Sequence, residues 1–393
     1  MSGTDPAARA GADTPVWDVA VVGGGPAGLA AGFAAARAGA RTIVLERSEH
    51  PRYKTCGGGL IGFSLAALPD GFALPARQIV RRATFTYRGR WGFTRAWPAP
   101  LLTMVQRDEL DAALAATAAG AGATVRQRAA VRSIEQEPDL VRLRLHGDDD
   151  VHARVVIGAD GSAGITAGHV GVRHDQVDLG LEVDVPTPRP GPGVADWHER
   201  LLIDWGPLPG SYGWVFPKGD LLTVGVIAAR GEGERTRAYL AALLARLGLA
   251  DAPRVHDSGH LTRCRAPTSP LRHGRVLVAG DAAGLLEPWT REGISFALRS
   301  GALAGTAAAR GDLDAYPRSV ESTLAPVMLA GRRVLRVFEA RAGAFHTAIA
   351  TPPGWRVFAR VCRGETDLAA LVRRRPVRAA LGLLGLGAGG SST

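Results

Sequence analysis

The chain has 393 residues, 46% of them hydrophobic, and a formal net charge of +10, enough for one large domain or two to three modest ones. Its uncharged apolar runs are shorter than the roughly 18 residues of a membrane span. Cys56, Cys264 and Cys362 are too few and too scattered for a disulfide framework or a zinc site, so we expect no metal and a reducing cytoplasm. Residues 1–14 predict a polar lead-in rather than a signal peptide.

The positive charge is almost all arginine, and Lys54 and Lys218 are the only lysines. We expect no nucleic-acid partner, because no Cys/His pairing and no basic run interleaved with aromatic residues is present. Arginines become dense from Arg332 to Arg378, ahead of the apolar segment 379–386. A basic helix beside an apolar patch is typical of peripheral membrane contact, and equally of a solvated helical face with a frayed end. Both interpretations stay open.

The first elements have the pattern of a nucleotide-binding unit. Residues 16–22 are a short apolar run that predicts a buried parallel strand, and the alanine-rich residues 27–38 predict a helix. Residues 41–45 predict a second buried strand that ends at Glu46. This order is a β-α-β unit of the usual length.

The middle of the chain alternates between antiparallel strands and helices, starting with a hairpin over 79–97 that turns at 88–90. The further predictions in chain order are a helix over 106–120, strands over 123–127, 141–145, 155–158, 181–185, 201–205 and 221–227, a helix over 235–247, a strand over 276–279, a helix over 293–309 and a mostly helical remainder after 313.

Parallel-sheet units are therefore interrupted by antiparallel strands and then resume, which predicts an α/β fold. It has a Rossmann-like domain, an inserted antiparallel β-sheet domain for substrate and a helical C-terminal region. The predicted boundaries are 14–80, 104–172 and 265–312 for the first, 81–103 and 173–264 for the second, and 313–393 for the third.

A glycine-rich loop joins the first strand to the first helix, with the sequence Gly23-Gly24-Gly25-Pro26-Ala27-Gly28. In this pattern Gly23 permits the tight turn, Gly25 lets the backbone approach a pyrophosphate, and Gly28 lets the helix pack on the strand. The free N–H groups at the helix N-terminus favour phosphate. Glu46 follows Gly28 by 18 residues and can accept both ribose hydroxyls. With Pro26, Ala27 and Arg47 beside them, these residues predict a dinucleotide site.

Three later motifs favour FAD over NAD as the dinucleotide. The first, Gly280-Asp281-Ala282-Ala283-Gly284, closes a buried strand and places Asp281 where it suits a ribityl hydroxyl. Pro288 and Gly293-Ile294 follow, and the helix that starts there can stabilise negative charge on a reduced isoalloxazine. The other two motifs are Asp160-Gly161, again at a strand end, and Arg107 at the start of a helix. We therefore predict that the Rossmann-like domain binds FAD.

These four motifs, in this order and spacing, resemble the flavoprotein superfamily typified by para-hydroxybenzoate hydroxylase. Two segments are more specifically similar to the geranylgeranyl reductase family: 51–60, with its Cys-Gly-Gly run, and 212–218, which reads Y-x-W-x-F-P and is followed by Gly225. The resemblance covers about residues 16–309. The chain departs from the family pattern at two positions. Ile227 stands where the family has the second glycine of the downstream G-x-G, and Arg291 stands where it has the first glycine of G-E-G-I.

Other departures separate the chain from the hydroxylases. Gly164 and Ala167 stand where hydroxylases carry a serine and an arginine, which weakens the case for pyridine-nucleotide binding. Gly284 stands where they favour a histidine. These differences favour the reductases.

The resemblance implies that the segment 212–218 is a strand lining a pocket for a long isoprenoid chain. Tyr212, Trp214 and Phe216 would share one face of it and cover a large apolar ligand; for Phe216 a place in the sheet core is an equal alternative. The resemblance also places Cys56 near the flavin ring, with the backbone of Gly57 and Gly58 against it. Cys56 then either protonates a substrate carbon or fills space, and Tyr212 and Trp214 join it as catalytic candidates.

The implied activity is FAD-dependent reduction of C=C double bonds in a polyprenyl lipid, with NAD(P)H or ferredoxin as alternative electron donors. We interpret Lys54 and Lys218, which fall inside the motifs, as contacts to an anionic headgroup. A monooxygenase or halogenase acting on an aromatic substrate is the first alternative, and a lipid-binding flavin carrier without turnover is the second. The histidines at 152, 169, 198, 260 and 273 show no ligand spacing and are interpreted as surface or satisfied polar positions.

Overall fold

The computed structural model describes residues 15–147, 150–191 and 195–385; the lead-in predicted at 1–14 and the last residue of the apolar segment, Leu386, lie outside them. The strands in chain order are β1 (Val16–Val22), β2 (Thr42–Leu45), β3 (Gly59–Leu60), β4 (Ala76–Val80), β5 (Arg82–Tyr87), β6 (Arg90–Ala96), β7 (Leu102–Val105), β8 (Thr124–Arg126), β9 (Val131–Gln136), β10 (Val141–Leu145), β11 (Asp150–Gly158), β12 (His174–Pro186), β13 (Arg200–Trp205), β14 (Tyr212–Lys218), β15 (Leu221–Ala229), β16 (His256–Arg265), β17 (Arg272–His273) and β18 (Val276–Val278).

The helices, together with one 3₁₀ turn over Gly280–Ala283, account for most of the remaining chain. They are α1 (Pro26–Arg37), α2 (Gly62–Ala66), α3 (Arg107–Gly120), α4 (Thr166–Val170), α5 (Gly233–Arg246), α6 (Ile294–Arg310), α7 (Ala315–Thr323), α8 (Ala325–Ala350), α9 (Pro352–Cys362), α10 (Leu368–Arg373) and α11 (Arg375–Gly385). The predicted fold class, α/β with an inserted antiparallel sheet and a helical C-terminal region, is confirmed.

The first sheet carries the nucleotide-binding unit. Its strands β18, β11, β1, β2 and β8 run parallel in that order, and β17 and the β9–β10 hairpin extend it. Val22 pairs with Leu45 on one side and with Gly158 on the other, so the carboxyl ends of three strands lie at one edge. Ligands of open parallel sheets bind at this edge.

Helices α1 and α6 pack backbone against backbone beside this sheet. A Cβ atom built on Gly301 would lie 2.1 Å from the Ala27 carbonyl oxygen, and one on Gly305 would lie 2.2 Å from that of Ala31. Only glycine permits this approach. The close packing keeps the N-terminal half of α6 beside the glycine-rich loop.

The second sheet has the order β16-β12-β15-β14-β13-β5-β6, and only the β13–β5 pair is parallel. One face packs against α5 through a buried cluster that includes Val215, Val224 and Leu243. The other face packs against α8 and α9 through Phe85, Trp205 and Phe338. Strand β16 was not predicted from the sequence, because residues 256–265 alternate polar and small side chains without an apolar face.

A three-stranded antiparallel sheet, β3-β7-β4, links the two larger ones. The C-terminal helices α8 to α11 pack on one another and on the second sheet. Among the residues that the structure describes, no helix has both the length and the hydrophobicity to cross a bilayer.

Candidate active site

One cavity of about 860 Å³ lies between the carboxyl edge of the first sheet, the second sheet and the C-terminal helices. It has a polar half, which begins at the glycine-rich loop, and an apolar half, which extends between β14 and helices α8 to α11. Its volume is in the range of cofactor and ligand sites. The two halves join beside Cys56 and Trp214, both of which line the wall.

The glycine-rich loop forms the floor of the polar half. Gly23 has φ +108°, and a Cβ atom there would lie 2.3 Å from the Ala159 carbonyl oxygen. A Cβ on Gly28 would lie 1.8 Å from the Gly23 carbonyl oxygen, so this glycine serves helix–strand packing. Gly25 precedes α1 without a side-chain cap, and no acidic residue stands in the first turn of α1. The free N–H groups of that turn suit a pyrophosphate.

Two arginines stand over this helix N-terminus. Arg107 donates from Nε and Nη2 to the two carboxylate oxygens of buried Asp111, both at 2.9 Å. Arg52 lies 3.4 Å from Asp111 and 3.4 Å from Glu46. Burial opposes the charge of Arg107, but Asp111 and the neighbouring Cys56 thiol raise its pKa, so the guanidinium stays charged. The pair supplies the positive charge that a diphosphate requires.

Glu46 ends β2 beside the glycine-rich loop. Its Oε2 accepts a hydrogen bond of 2.7 Å from the Gly24 N–H, and its Oε1 accepts one of 2.9 Å from the Ser48 N–H. Burial opposes ionisation of Glu46, but Arg52 and these N–H groups keep its pKa below the ordinary value. A carboxylate held in the charged form at a cavity wall is a strong acceptor for ribose hydroxyls.

Asp281, His260 and Lys54 form a polar cluster at the far end of this half. His260 Nε2 lies 3.8 Å from the Asp281 carboxylate, and His260 Nδ1 lies 3.2 Å from Lys54 Nζ. Burial opposes the charge of Asp281, but His260 and Lys54 hold its pKa below the ordinary value. Burial also lowers the pKa of Lys54. All three residues line the cavity, where they can bind hydroxyls of a ligand.

Cys56 lies at the junction of the two halves, on a loop fixed by backbone contacts. Its N–H donates to Glu182 Oε1 at 2.6 Å, and its carbonyl oxygen accepts from Lys218 Nζ at 3.3 Å. Gly58, with φ +72°, follows in a conformation that favours glycine. The thiol is half-buried, faces the cavity and has Arg107 as a neighbour.

The apolar half has aromatic walls, which the second sheet, the loop before α6 and helices α8 and α9 contribute. Its aromatic residues are Trp205, Tyr212, Trp214, Phe216, Trp289, Phe345 and Phe358. Tyr212, Trp214 and Phe216 all reach it from β14, as predicted from their alternation, so Phe216 is both pocket wall and part of the surrounding cluster. The Nε1 of Trp214 is buried without a hydrogen-bond partner and lies 3.4 Å from a Cβ built on Gly57.

The C-terminal helices close the opposite wall. They contribute the aliphatic residues Val334, Ile349, Val357, Val361, Leu371, Val377 and Leu381. Val377 and Leu381 belong to α11, within the segment whose sequence suggested either a membrane contact or a solvated face. One side of α11 therefore lines the cavity.

The loop before α6 carries Trp289 into the junction. Buried Glu287 accepts hydrogen bonds from the N–H groups of Trp289 and Thr290. Arg291 has φ +56° and forms an ion pair with Asp178, Nε to Oδ2 at 3.1 Å, with the two side chains 4% and 5% exposed. The ion pair with Asp178 therefore holds Arg291 in a left-handed backbone conformation, at a position where the family pattern has glycine.

Most of the predicted site residues meet in this cavity. The cavity wall includes Gly23, Gly25, Pro26, Ala27, Glu46, Arg47, Lys54, Cys56, Gly57, Gly58, Arg107, Asp160, Gly161, Tyr212, Trp214, Phe216, Asp281, Gly293 and Ile294. The predicted residues that do not line it are Gly28, Lys218, Gly280, Gly284 and Pro288. Gly280 and Gly284 have φ of +57° and +64° and shape the turn that carries Asp281. The Asp160 carboxylate accepts a hydrogen bond of 3.1 Å from the N–H of Thr166, the first residue of α4.

Sequence reasoning missed several residues of the wall: Arg52, Glu182, His260, Trp289 and the lining residues of α8 to α11. His260 was interpreted as a surface or satisfied polar residue; it is hydrogen-bonded to Lys54 and also lines the cavity. For Glu182 no local signal existed, since Glu182 and Asp184 alternate with apolar residues over 181–185 and this alternation predicts a solvent-exposed polar face. Within the described residues no group of His, Cys, Asp and Glu has the arrangement of a metal site.

The fold and the site define a FAD-dependent oxidoreductase. The FAD binding domain family matches residues 16–197, and the uncapped helix, the paired arginines and Glu46 fit the diphosphate and ribose of that cofactor. The chain belongs to the geranylgeranyl reductase family of these enzymes. It is 31% identical over 313 residues to digeranylgeranylglycerophospholipid reductase 1 of Methanopyrus kandleri, covering 74% of this chain and 80% of that protein.

Another relative and two solved structures are similar to this chain. Menaquinone reductase of Mycobacterium tuberculosis is 30% identical over 308 residues, covering 73% of this chain and 75% of that protein. A crystal structure of a geranylgeranyl bacteriochlorophyll reductase-like protein from Thermoplasma acidophilum has a TM-score of 0.74 at 21% identity, covering 94% of this chain and 99% of that one. A flavin-dependent brominase has a TM-score of 0.73 at 16% identity, covering 94% of this chain and 98% of that one. At these identities both solved structures show the shared fold alone.

Proposed function

We propose that this enzyme reduces C=C double bonds in a polyprenyl chain. The observation that carries the proposal is one continuous cavity, whose polar half fits FAD and whose apolar half is walled by aromatic and aliphatic side chains. An extended hydrocarbon suits the apolar half, because burying apolar surface is favourable and that wall offers few polar partners. The chain would enter with one double bond at the junction, next to Cys56 and Trp214.

Reduced FAD, when bound, supplies a hydride to such a double bond. The protein's own part is to align the alkene, exclude water and deliver a proton to the second carbon. Cys56 is our candidate for the proton donor, since it is half-buried, lines the cavity and belongs to a loop fixed by Glu182 and Lys218. Tyr212, whose hydroxyl donates to the Thr290 carbonyl oxygen, and Trp214 would orient the chain through their ring faces.

The headgroup contact predicted for the two lysines is supported differently for each. Lys54 lines the cavity beside Asp281 and His260, whereas Lys218 is 5% exposed and lies behind the Cys56 loop. We therefore propose that Lys54 contacts the anionic headgroup of the prenyl-lipid substrate and that Lys218 holds the Cys56 loop in place.

We also propose that the substrate reaches the cavity from a membrane surface. Arg373, Arg374, Arg375 and Arg378 are exposed, and they lie on or next to α11, whose other side lines the apolar half. Arginines near a surface of anionic lipids are attracted to it. Flotation with anionic and with zwitterionic vesicles tests this: we expect binding to the anionic ones, lost when the four arginines are changed to serine. Equal recovery with both vesicle types would contradict it.

The decisive test of the activity is anaerobic. The flavin of the holoenzyme is reduced with dithionite, geranylgeranyl diphosphate is added, and flavin reoxidation is followed together with product mass. We expect reoxidation with products heavier by two hydrogens for each bond reduced. No reoxidation with prenyl substrates, together with oxygen-driven reoxidation and an oxygenated or halogenated aromatic product, would instead assign a monooxygenase or halogenase. Repeating the reduction with NAD(P)H and with ferredoxin identifies the electron donor.

A further inference from the structure

Glu182 is a buried carboxylate on β12 that the proposed reaction has not yet used. Its side chain is almost inaccessible, with 3% of the residue exposed, yet it is one of the residues of the cavity wall. Its Oε1 accepts the Cys56 N–H at 2.6 Å and the Tyr53 hydroxyl at 3.4 Å. The carboxylate therefore touches the loop of the candidate proton donor on one side and a tyrosine on the other.

Tyr53 connects Glu182 with the outside of the protein. The residue is 42% exposed, and its ring stacks on His256 at 4.0 Å between centroids. Its hydroxyl lies 2.8 Å from Ser258 Oγ, which accepts from Thr55 Oγ1 at 3.0 Å. When Ser258 donates to Tyr53 and Tyr53 donates to Glu182, all these hydrogen bonds point toward the carboxylate. This order is that of a proton relay.

The charges around Glu182 come from three elements. Lys218 on β14 favours the ionised carboxylate, and Asp184, two residues along β12, opposes it. His256 on β16 lies with its Nδ1 3.1 Å from the Asp184 carboxylate. Burial is the largest influence and raises the pKa of Glu182 to about 7. Burial also raises the pKa of Tyr53 to about 12, so its hydroxyl stays neutral and passes protons without ionising.

The proposed reduction creates a need for such a relay. Each double bond takes up one hydride and one proton, and two C–H bonds replace the π bond. If the Cys56 thiol gives the proton, a thiolate is left in a cavity that excludes water. A polyprenyl chain contains several double bonds, so the donor has to be protonated again before each further step.

We propose that Glu182 is the proton store of this site and that Tyr53 refills it from solvent. The carboxylic acid loses its proton to the thiolate, directly or through one water, and becomes a carboxylate. That carboxylate takes the hydroxyl proton of Tyr53, while Tyr53 takes a proton from Ser258 or from water. The sum is one proton moved from solvent to Cys56, with no change of redox state. This inference rests on the proposed reduction.

The kinetic test follows the products that the holoenzyme forms from geranylgeranyl diphosphate with excess dithionite between pH 5.5 and 9, so that the flavin is reduced again after each double bond. We expect the wild-type rate of the second and later double bonds to fall with rising pH, and the Glu182→Gln variant to be about tenfold or more slower in these steps at pH 6 and to lose this pH dependence. Tyr53→Phe is expected to slow the second and later double bonds more than the first. Glu339→Gln is the control, since Glu339 also has a raised pKa but does not line the cavity. An unchanged pH profile in Glu182→Gln would overturn the proposal.

A second readout needs no turnover. Infrared difference spectra of the FAD-loaded protein, wild type minus Glu182→Gln, are expected to show a protonated carboxyl band at pH 6 that disappears by pH 8.5. Absence of that band at pH 6 would refute the proton store even in an active enzyme. If the band titrates but no prenyl substrate reoxidises the flavin, the proposed reduction fails while Glu182 remains a proton store. The two failures are therefore distinguishable.

Discussion

Trp214 and Gly225 face each other across strands β14 and β15, and the indole lies against the glycine. A Cβ atom on Gly225 would come within 2.2 Å of Cζ2 and 2.5 Å of Cε2 of Trp214. The glycine therefore lets the indole lie close to the sheet, which leaves its other face to the cavity. The neighbouring departure, Ile227, pairs with Tyr212 instead, so it does not disturb this contact.

We predict that Gly225→Ala moves the indole of Trp214 into the cavity. Overpacking of this kind costs about 1–3 kcal/mol, and the shifted ring narrows the junction. The free energy of unfolding, measured with urea, should fall by this amount, and prenyl turnover should fall with it. Gly120→Ala is the matched control, because a Cβ there meets nothing within 4 Å. Normal turnover in Gly225→Ala would show that the ring does not border the substrate.

Cys56→Ala tests the proton donor. Loss of a general acid typically costs about 10²- to 10⁴-fold in rate, so we expect substrate-driven flavin reoxidation to slow at least a hundredfold. FAD content should stay the same, since the loop contacts of residue 56 use its backbone. Cys264→Ala serves as the control, because that thiol is buried outside the cavity. A wild-type rate in Cys56→Ala would assign the proton to another group.

Val357→Trp tests whether the C-terminal helices limit the length of the prenyl chain that the cavity can hold. The larger side chain fills part of the apolar half, so we expect turnover of geranylgeranyl diphosphate to fall by about tenfold or more. Geranyl diphosphate, which is half as long, should be affected less. Arg356→Trp adds the same ring at an exposed position of the same helix and should leave both substrates unaffected. Equal losses for both lengths would place the chain elsewhere.

Glu182 should also make stability depend on pH. Its pKa is about 7 in the folded protein against 4.5 ordinarily, so its favourable contribution is complete below about pH 4.5 and is lost as the pH rises through 7. The upper limit of the effect is about 3 kcal/mol. Urea unfolding at pH 5, 6, 7 and 8 should show wild type losing stability relative to Glu182→Gln over this window. If the free energies of unfolding of wild type and Glu182→Gln changed in parallel with pH, the raised pKa of Glu182 would be contradicted.

Local sequence patterns were sufficient to predict the strands and the helix of the nucleotide-binding β-α-β unit. Strand β1 was predicted over the residues it occupies, and α1 and β2 differ from their predictions by one residue at the ends. The turn at Gly23 and the packing at Gly28 are dictated by backbone geometry within a few residues, so a sequence motif reports them directly. The alternation of Tyr212, Trp214 and Phe216 likewise specified which face of β14 they share.

The remaining parts of the site depend on contacts distant in sequence. His260 lies on a strand without an apolar period, so neither β16 nor the meeting of His260 with Lys54 could be predicted. For α11 the sequence indicated a basic helix beside an apolar patch, but this pattern does not tell whether the apolar residues cover a membrane, a core or a cavity.

By itself, the sequence determined the FAD fold, the glycine-rich loop and the aromatic strand, because each follows from backbone geometry or from side-chain alternation over a short stretch. Only the tertiary structure decided that the C-terminal helices complete the apolar half. It also decided that Glu182, Tyr53 and Cys56 meet there, across 126 residues for the Glu182–Cys56 contact. Such meetings depend on how sheets and helices pack, and packing is set by shape complementarity over the whole chain.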